Sequence, residues 1–301
     1  MTHNAAGGRG SSSAPAVAGS ARPWHIPEGV WGLLLLAPAL ALLAALFAYP
    51  LGLSIIGSFT DKEGTLGGAN YRKIFELYTG DIVFSGAVCL FTVAVTNVFA
   101  VAIGGYLILG GSPKAVAALR WLYRWPLFIP FVVAAQMMRG FLAKNGLMNN
   151  SLVTLGLIDP ANTVGLLDWR GVVITFVWKQ LPFVTLLVSG AMASLDQSMI
   201  EAARNLGAGR VRVLLGIILP QVRGSLLVAS VLTFVTLMSV LSVPMMINAA
   251  QPTMITVDMA YRITSLGDYG AANALGVVSY LMTAILAWLY LSRGMPRIEN
   301  Q

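Results

Sequence analysis

Cysteine, histidine and acidic residues are all scarce in this sequence, and each scarcity excludes something. The single cysteine, Cys89, rules out a disulfide framework or a thiolate metal site within the chain. The two histidines, His3 and His25, lie in a polar N-terminal stretch, so most metal chemistry and His-based catalysis lack their side chains. Charged residues make up 10% of the chain, where a soluble protein carries roughly 25%. An ordinary soluble domain is therefore excluded. The phosphate-cradling pattern GxxxxGK(S/T) is missing too. Gly110-Gly111-Ser112-Pro113-Lys114 has glycines and a lysine at the wrong spacing and reads as a short turn.

What the sequence has is long apolar runs, with hydrophobic residues at 57%. A helix needs about 20 apolar residues to cross the hydrocarbon core. Six stretches qualify: Val30–Ser58, Ile82–Leu109, Leu119–Ala143, Gly171–Ser194, Gly224–Met246 and Gly270–Leu291. The expectation is an all-α membrane protein with about six transmembrane helices. Pro126 and Pro130 should kink the third span. No Asp or Glu lies inside any of these stretches.

Residues 1–29, rich in Gly, Ala and Ser, read as a disordered cytoplasmic tail. A secretory leader fits poorly, because the first apolar run is far longer than an h-region of roughly 7–15 residues. Residues 30–292 form the membrane domain and 293–301 a second cytoplasmic tail. The net charge of +7 does not point to nucleic acid, since the cations are spread through short segments between apolar runs. With both ends inside, the inner segments carry Arg9, Arg22, Lys114, Arg120, Arg124, Arg204, Arg210, Arg212, Arg223, Arg293 and Arg297. The outer ones carry Lys62, Arg72, Lys73, Lys144, Arg170 and Arg262, and eight of the twelve acids. The positive-inside rule then places both termini in the cytoplasm of a multi-pass protein of the cell membrane.

The most informative stretch, residues 194–220, lies between the fourth and fifth spans. Leu195, Met199, Ala202, Ala203 and Leu206 share one helical face, with Gln197, Glu201 and Arg204 opposite. Ser194 with Gln197 makes a capping box, and Gly207 supplies a helix stop. A second apolar run, Val211–Leu219, leads to Pro220, which should end or kink it. Periodicity alone fits an amphipathic helix resting on lipid as well as one docking on a partner. The residues go further. Glu201-Ala202-Ala203, three residues, Gly207, nine residues, then Ile217-Ile218-Leu219-Pro220 matches the EAA motif of binding-protein-dependent ABC importer permeases.

The chain resembles the type I permeases of the maltose and glycerol-phosphate class over nearly its whole length. Further matches are Asn70-Tyr71-Arg72-Lys73-Ile74-Phe75, Gly146-Leu147-Met148-Asn149-Asn150, Trp178-Lys179 with Pro182, and Asp268-Tyr269-Gly270-Ala271-Ala272. The resemblance implies that Glu201, Ala202, Ala203, Gly207, Ile217, Leu219 and Pro220 form a coupling helix and elbow docking on a cytoplasmic ATPase. It implies an ATPase dimer, a second permease (a relative rather than a copy) and an extracytoplasmic solute-binding protein as partners. ATP and magnesium then sit on the ATPase, and this chain binds no cofactor and catalyses nothing. Asn205-Leu206-Gly207-Ala208 departs from the Asp-Gly-Ala of many sugar permeases and looks more like polyamine permeases, which leaves the substrate class open.

Apart from Arg120 and Arg124, counted above with the inner segments, two cations fall inside spans, where charge is costly and commonly functional. Arg139 lies near the outer end of span three and can snorkel to the interface. Lys179 lies about 12 Å into span four. The resemblance puts Trp178, Lys179 and Gln180 on the solute path, with Phe176 and Phe183 nearby; Lys179 bonding another helix is the structural alternative. Ser239, Ser242 and Asn248 are further path candidates, although small polar residues also serve as packing contacts between membrane helices. Spans without carboxylates favour a carbohydrate or related polyol, then an anionic organic solute, then a polyamine. An ion-coupled secondary transporter would need an intramembrane carboxylate or histidine. A membrane enzyme would need a cluster of such groups, and a receptor or scaffold would need longer loops. None of these needs is met.

Overall fold

The computed structural model describes residues 28–61, 63–248 and 250–294. Most of both tails therefore lies outside the described residues, as do Arg9, Arg22, Lys62 and Arg297. Residues 28–29 and 293–294, which the sequence places in the tails, are helical. The chain divides into two compact units, residues 1–50 and 51–301.

In the first unit α1 (Glu28–Leu43) passes Pro38 and runs into a π-helical turn, Ala44–Ala48. Every side chain described there is exposed. Helix α2 (Tyr49–Phe59) follows, and the stretch Leu36–Phe59 is long and apolar enough to cross a membrane.

The second unit is a helical bundle. Helix α3 (Ala69–Leu109) runs unbroken for 41 residues, thirteen more at its head than the apolar stretch alone suggests. It packs against α7 (Trp169–Ala193). Between them lie α4 (Pro113–Leu122), α5 (Phe131–Leu142) and α6 (Leu147–Thr154). Then come α8 (Gln197–Asn205), α9 (Arg210–Val213), α10 (Leu219–Ser239), α11 (Ser242–Ile247), α12 (Ile255–Thr264) and α13 (Tyr269–Gly294). No strand occurs among the described residues; Thr60 and Leu66 make one isolated bridge.

Among the described residues five helices are long and apolar enough to span, or six if the third is counted as one broken span. That third span is a correction to the expected kink. Pro126 lies within a 3-10 turn, Trp125–Phe128, Pro130 caps the helix that follows, and the span is bent by 108° at this break. Pro130 has no N–H and Pro126 forces a tight turn, so the α-ladder stops rather than bends. The fifth span differs as well: it ends at Ser239, and Ser242–Ile247 is a separate short helix.

Two cores hold the unit. One gathers Ile74, Cys89, Phe176, Leu237, Met254 and Leu275. The other gathers Leu109, Val188, Met192, Ile200, Val213 and Ile218, beside residues 194–220. Close approach there depends on Gly105, where a Cβ would stand 2.6 Å from the Leu214 side chain. Small residues at such crossings let membrane helices pack without the hydrophobic drive available in water.

Candidate functional site

The segment 194–220 forms a short helix, a glycine stop and an elbow. Its cap is not the expected one. Ser194 closes α7 and donates to Ala191 O at 2.9 Å. Asp196 caps α8, its carboxylate accepting from Ser198 N at 2.9 Å. That N–H holds the Asp196 carboxyl below the ordinary carboxylate range. Both residue types accept well at an N-cap, and the one adjoining the first helical residue serves.

The apolar face of α8 is split. Ile200 is buried, with Leu195 and Ala203 packed beside it, so one stripe anchors the helix to the bundle. Met199, Ala202 and Leu206 are exposed together with Glu201, and Leu206 is 89% exposed. Arg204 belongs to the anchor: its guanidinium donates to Leu109 O at 3.2 Å, occupying a carbonyl at the end of α3. Gly207 has φ +83°, and its N–H donates to Arg204 O at 2.9 Å. Ala208 N–H then donates to Ala203 O at 3.0 Å. This is the Schellman arrangement, which demands a left-handed residue just past the helix.

The elbow corrects a second expectation. Pro220 does not end or kink the run: residues 210–239 are continuously helical. A π-helical turn, Leu214–Ile218, precedes Pro220, and Leu219 N–H donates to Leu214 O, one residue further back than in an α-helix. The wider turn makes room for the proline ring near the start of α10. Ile218 is buried there.

The path candidates do not converge. Lys179 is buried and its ammonium donates to Leu127 O at 3.4 Å, 5.0 Å from the Phe131 ring centroid. It thus fills the break in span three, where the lost ladder frees a carbonyl. Gln180 is buried with Nε2 unpartnered. Trp178 lines a cleft of about 390 Å³ with Met137 and Phe141. Arg139 is exposed in the last turn of α5. Phe176 is wholly buried in the first core, and Phe183 packs on the second. Ser239 is exposed and donates to Thr236 O at 2.7 Å, while Ser242 is half-buried at the head of α11. Asn248 is a loop clasp: its amide donates to Pro252 O at 2.9 Å, and its carbonyl accepts from Thr253 Oγ1.

A second cleft, about 710 Å³, lies along the first arm of the broken span and is lined by Arg120, Trp121, Arg124, Trp125 and Phe128. Irregular backbone at membrane depth survives only against protein or water. The sequence places Arg120 and Arg124 in an inner segment and does not show them flanking a groove.

Sequence reasoning also counts Asp268, Arg262 and Lys73 as loop charges, whereas they form a network. Arg262 donates to Tyr78 Oη at 2.8 Å and to Asp268 at 3.1 Å, and Lys73 is ion-paired with the same carboxylate. Burial pushes the Asp268 carboxyl up. The Lys73 hydrogen bond, the Ala271 N–H and the charges of Lys73 and Arg262 together outweigh it and hold the group low.

The match to known proteins decides what this assembly belongs to. Residues 112–292 fit the family described as binding-protein-dependent transport system inner membrane component. The chain belongs to that family. It is a permease subunit of an ABC importer and a multi-pass membrane protein. The permease is 26% identical over 280 residues to the sulfoquinovosyl glycerol transport system permease protein SmoG of Agrobacterium fabrum, covering 86% of this chain and 88% of that one. It is 28% identical over 199 residues to the trehalose/maltose transport system permease protein MalF of Thermococcus litoralis, covering 64% and 66%. In fold it matches a subunit of a bacterial ABC transporter that imports the acidic polysaccharide alginate, at TM-score 0.73 and 18% identity, over 89% of the permease and 98% of that chain.

Proposed function

We propose that the permease supplies half of the translocation path for a carbohydrate and takes its driving force through α8. The observation that carries the coupling is the free face of that helix. Met199, Ala202 and Leu206 stand exposed beside Glu201, while Ile200 and Arg204 fasten the opposite side to the bundle. An apolar ridge with one carboxylate suits a cleft on a cytoplasmic ATPase that offers a cation. ATP and magnesium bind on that partner, and this chain performs no chemistry. A second permease, related rather than identical, completes the path, and an extracytoplasmic binding protein delivers the solute. Both termini face the cytoplasm. Closure of two ATPase subunits draws the paired α8 helices together, and the spans rock between two rigid arrangements.

Support for a carbohydrate comes from the two relatives, named for sulfoquinovosyl glycerol and for trehalose/maltose transport. The spans agree: apart from Glu76 and Asp81 near the head of α3, they carry no carboxylate to attract a polyamine. An anionic carbohydrate is the second reading, favoured by the cleft in which Arg120 and Arg124 stand beside Trp121 and Trp125. Guanidinium groups bind carboxylate or sulfonate, and indole faces stack on sugar rings.

The decisive test is Glu201→Lys in the purified complex, with ATP hydrolysis measured against added solute and loaded binding protein. Stimulation should fall more than about tenfold, equivalent to roughly 1.4 kcal/mol, while all subunits still co-purify. Undiminished stimulation in an intact complex overturns the coupling reading.

A further inference from the structure

Helices α3 and α12 pack with a readable register. Arg262, late in α12, meets Tyr78 of α3. At the other end of the contact Ile255 N–H donates to Ser85 Oγ at 2.8 Å, and Thr253 N–H donates to Asp81 Oδ1 at 2.8 Å. The helices therefore run antiparallel, with Tyr78, Asp81 and Ser85 on one face and Ile255, Asp258 and Arg262 on the other. Between the two contacts Asp258 falls opposite Asp81. Each of these aspartates is only 5% exposed.

Their partners are unequal. Asp81 accepts the Thr253 N–H, whereas Asp258 Oδ2 is buried with no hydrogen-bond partner. Arg262 stands one turn from Asp258, at the spacing that ordinarily makes an ion pair. Its guanidinium is instead bonded to Tyr78 and Asp268. The remaining charged or titratable groups on the packed elements are engaged or remote. Lys73 is paired with Asp268 and Tyr71 with Ser58; Arg72, Glu76, Tyr261, Tyr269 and Tyr280 are exposed; Cys89 sits in the apolar core; and Arg223, the sole titratable side chain of α10, lies at the end away from the Val240–Thr256 contact with α12. Two buried carboxylates thus lie across one helix contact within reach of each other's charge, and neither is hydrogen-bonded to a cation.

We propose that Asp81 and Asp258 form a proton-binding site between α3 and α12, with one proton held on Asp258 and available to the Asp81 carboxylate. Two like charges at close range in a dry contact cannot both persist, and a shared proton removes one of them. A proton on Asp258 also gives its orphan oxygen an O–H to donate. Burial first, and then the Asp81 charge, push the Asp258 carboxyl up to about 7, with Arg262 pulling the other way. The sign follows from the folded value lying above the unfolded one. The folded permease holds the extra proton between the ordinary carboxylate range and about 7, so stability falls as pH rises through that window and levels off above it. No third His, Cys, Asp or Glu joins the pair among the described residues, so the ligand is a proton rather than a divalent metal.

The test uses the detergent-purified complex, unfolded by heat from about pH 5 to about pH 8. The wild type should lose roughly 5 °C across that range from this site. Asp258→Asn keeps the shape without the charge, and it should remove that slope and exceed the wild type at the alkaline end. Asp81→Asn should move the Asp258 transition to lower pH. If Asp258→Asn does not assemble, infrared difference spectra of the wild type and Asp81→Asn decide. A carboxylic-acid carbonyl band must titrate in the wild type and shift in the variant. Parallel slopes in wild type and Asp258→Asn, or no such band, overturn the proposal. So does a stabilisation by sodium chloride over potassium chloride at fixed pH that Asp258→Asn abolishes, since the ligand would then be a sodium ion.

Discussion

Gly207 and Gly209 lie two residues apart in the elbow and make opposite demands. Gly207 sits at φ +83°, where an L side chain pushes its Cβ toward the backbone; Gly209 has φ −69°, open to any residue. A Cβ at either position meets nothing within 4 Å, so conformation alone separates them. Gly207→Ala should therefore cost about 1 kcal/mol in thermal unfolding of the complex, and Gly209→Ala close to nothing. The helix stop was legible in the sequence for the same reason, because a glycine following an amphipathic stretch has one common use. The cap was less legible. Ser194 and Asp196 are both good acceptors two residues apart, and periodicity does not resolve so small a shift. Asp258 was not legible at all: spacing assigns it Arg262, and only the folded chain shows that Asp268, from the head of the next helix, takes that cation.

At the scale of elements, the broken third span depends on another helix. Two prolines announce a disturbance in any membrane helix, but whether the ladder bends or stops is settled by what satisfies the freed carbonyls. Here a lysine from α7 reaches Leu127 O, a contact between residues 52 apart in sequence that no local pattern encodes. Lys179→Met preserves the stem and removes the donor. It should lower stability by about 1–3 kcal/mol, the cost of an unmet buried carbonyl, as read from thermal unfolding. If Lys179 served the solute alone, transport would change and the unfolding temperature would not. The π-helical turn before Pro220 was hidden in the same way: a proline within an apolar run reads as an end, and the room made for it by a register shift of one residue leaves no compositional trace.

At the scale of the whole molecule, the distribution of cations makes a prediction about sidedness. Lys114 and Asn162 are exposed at opposite ends of the membrane-crossing helices in the proposed orientation, and the only native thiol, Cys89, is buried. In a Cys89→Ser background, a membrane-impermeant maleimide applied to intact spheroplasts should label Asn162→Cys, and label Lys114→Cys only after permeabilisation. The reverse pattern would invert the proposed topology. The number of spans and the family were plain in the sequence, since run length and the EAA spacing are one-dimensional properties. Which polar groups meet was not, because meeting is decided by packing.

The length of α3 has a mechanical consequence. At 1.5 Å per residue, 41 residues make a rod of about 60 Å, roughly twice the hydrocarbon thickness. Its last carbonyl, Leu109 O, accepts from Arg204 of α8, and its first turns carry Lys73, Tyr78 and Asp81. A stiff strut clamped at one tip behaves as a pushrod. If α8 moves as proposed, the strut carries that movement toward its far tip, where α3 meets α12.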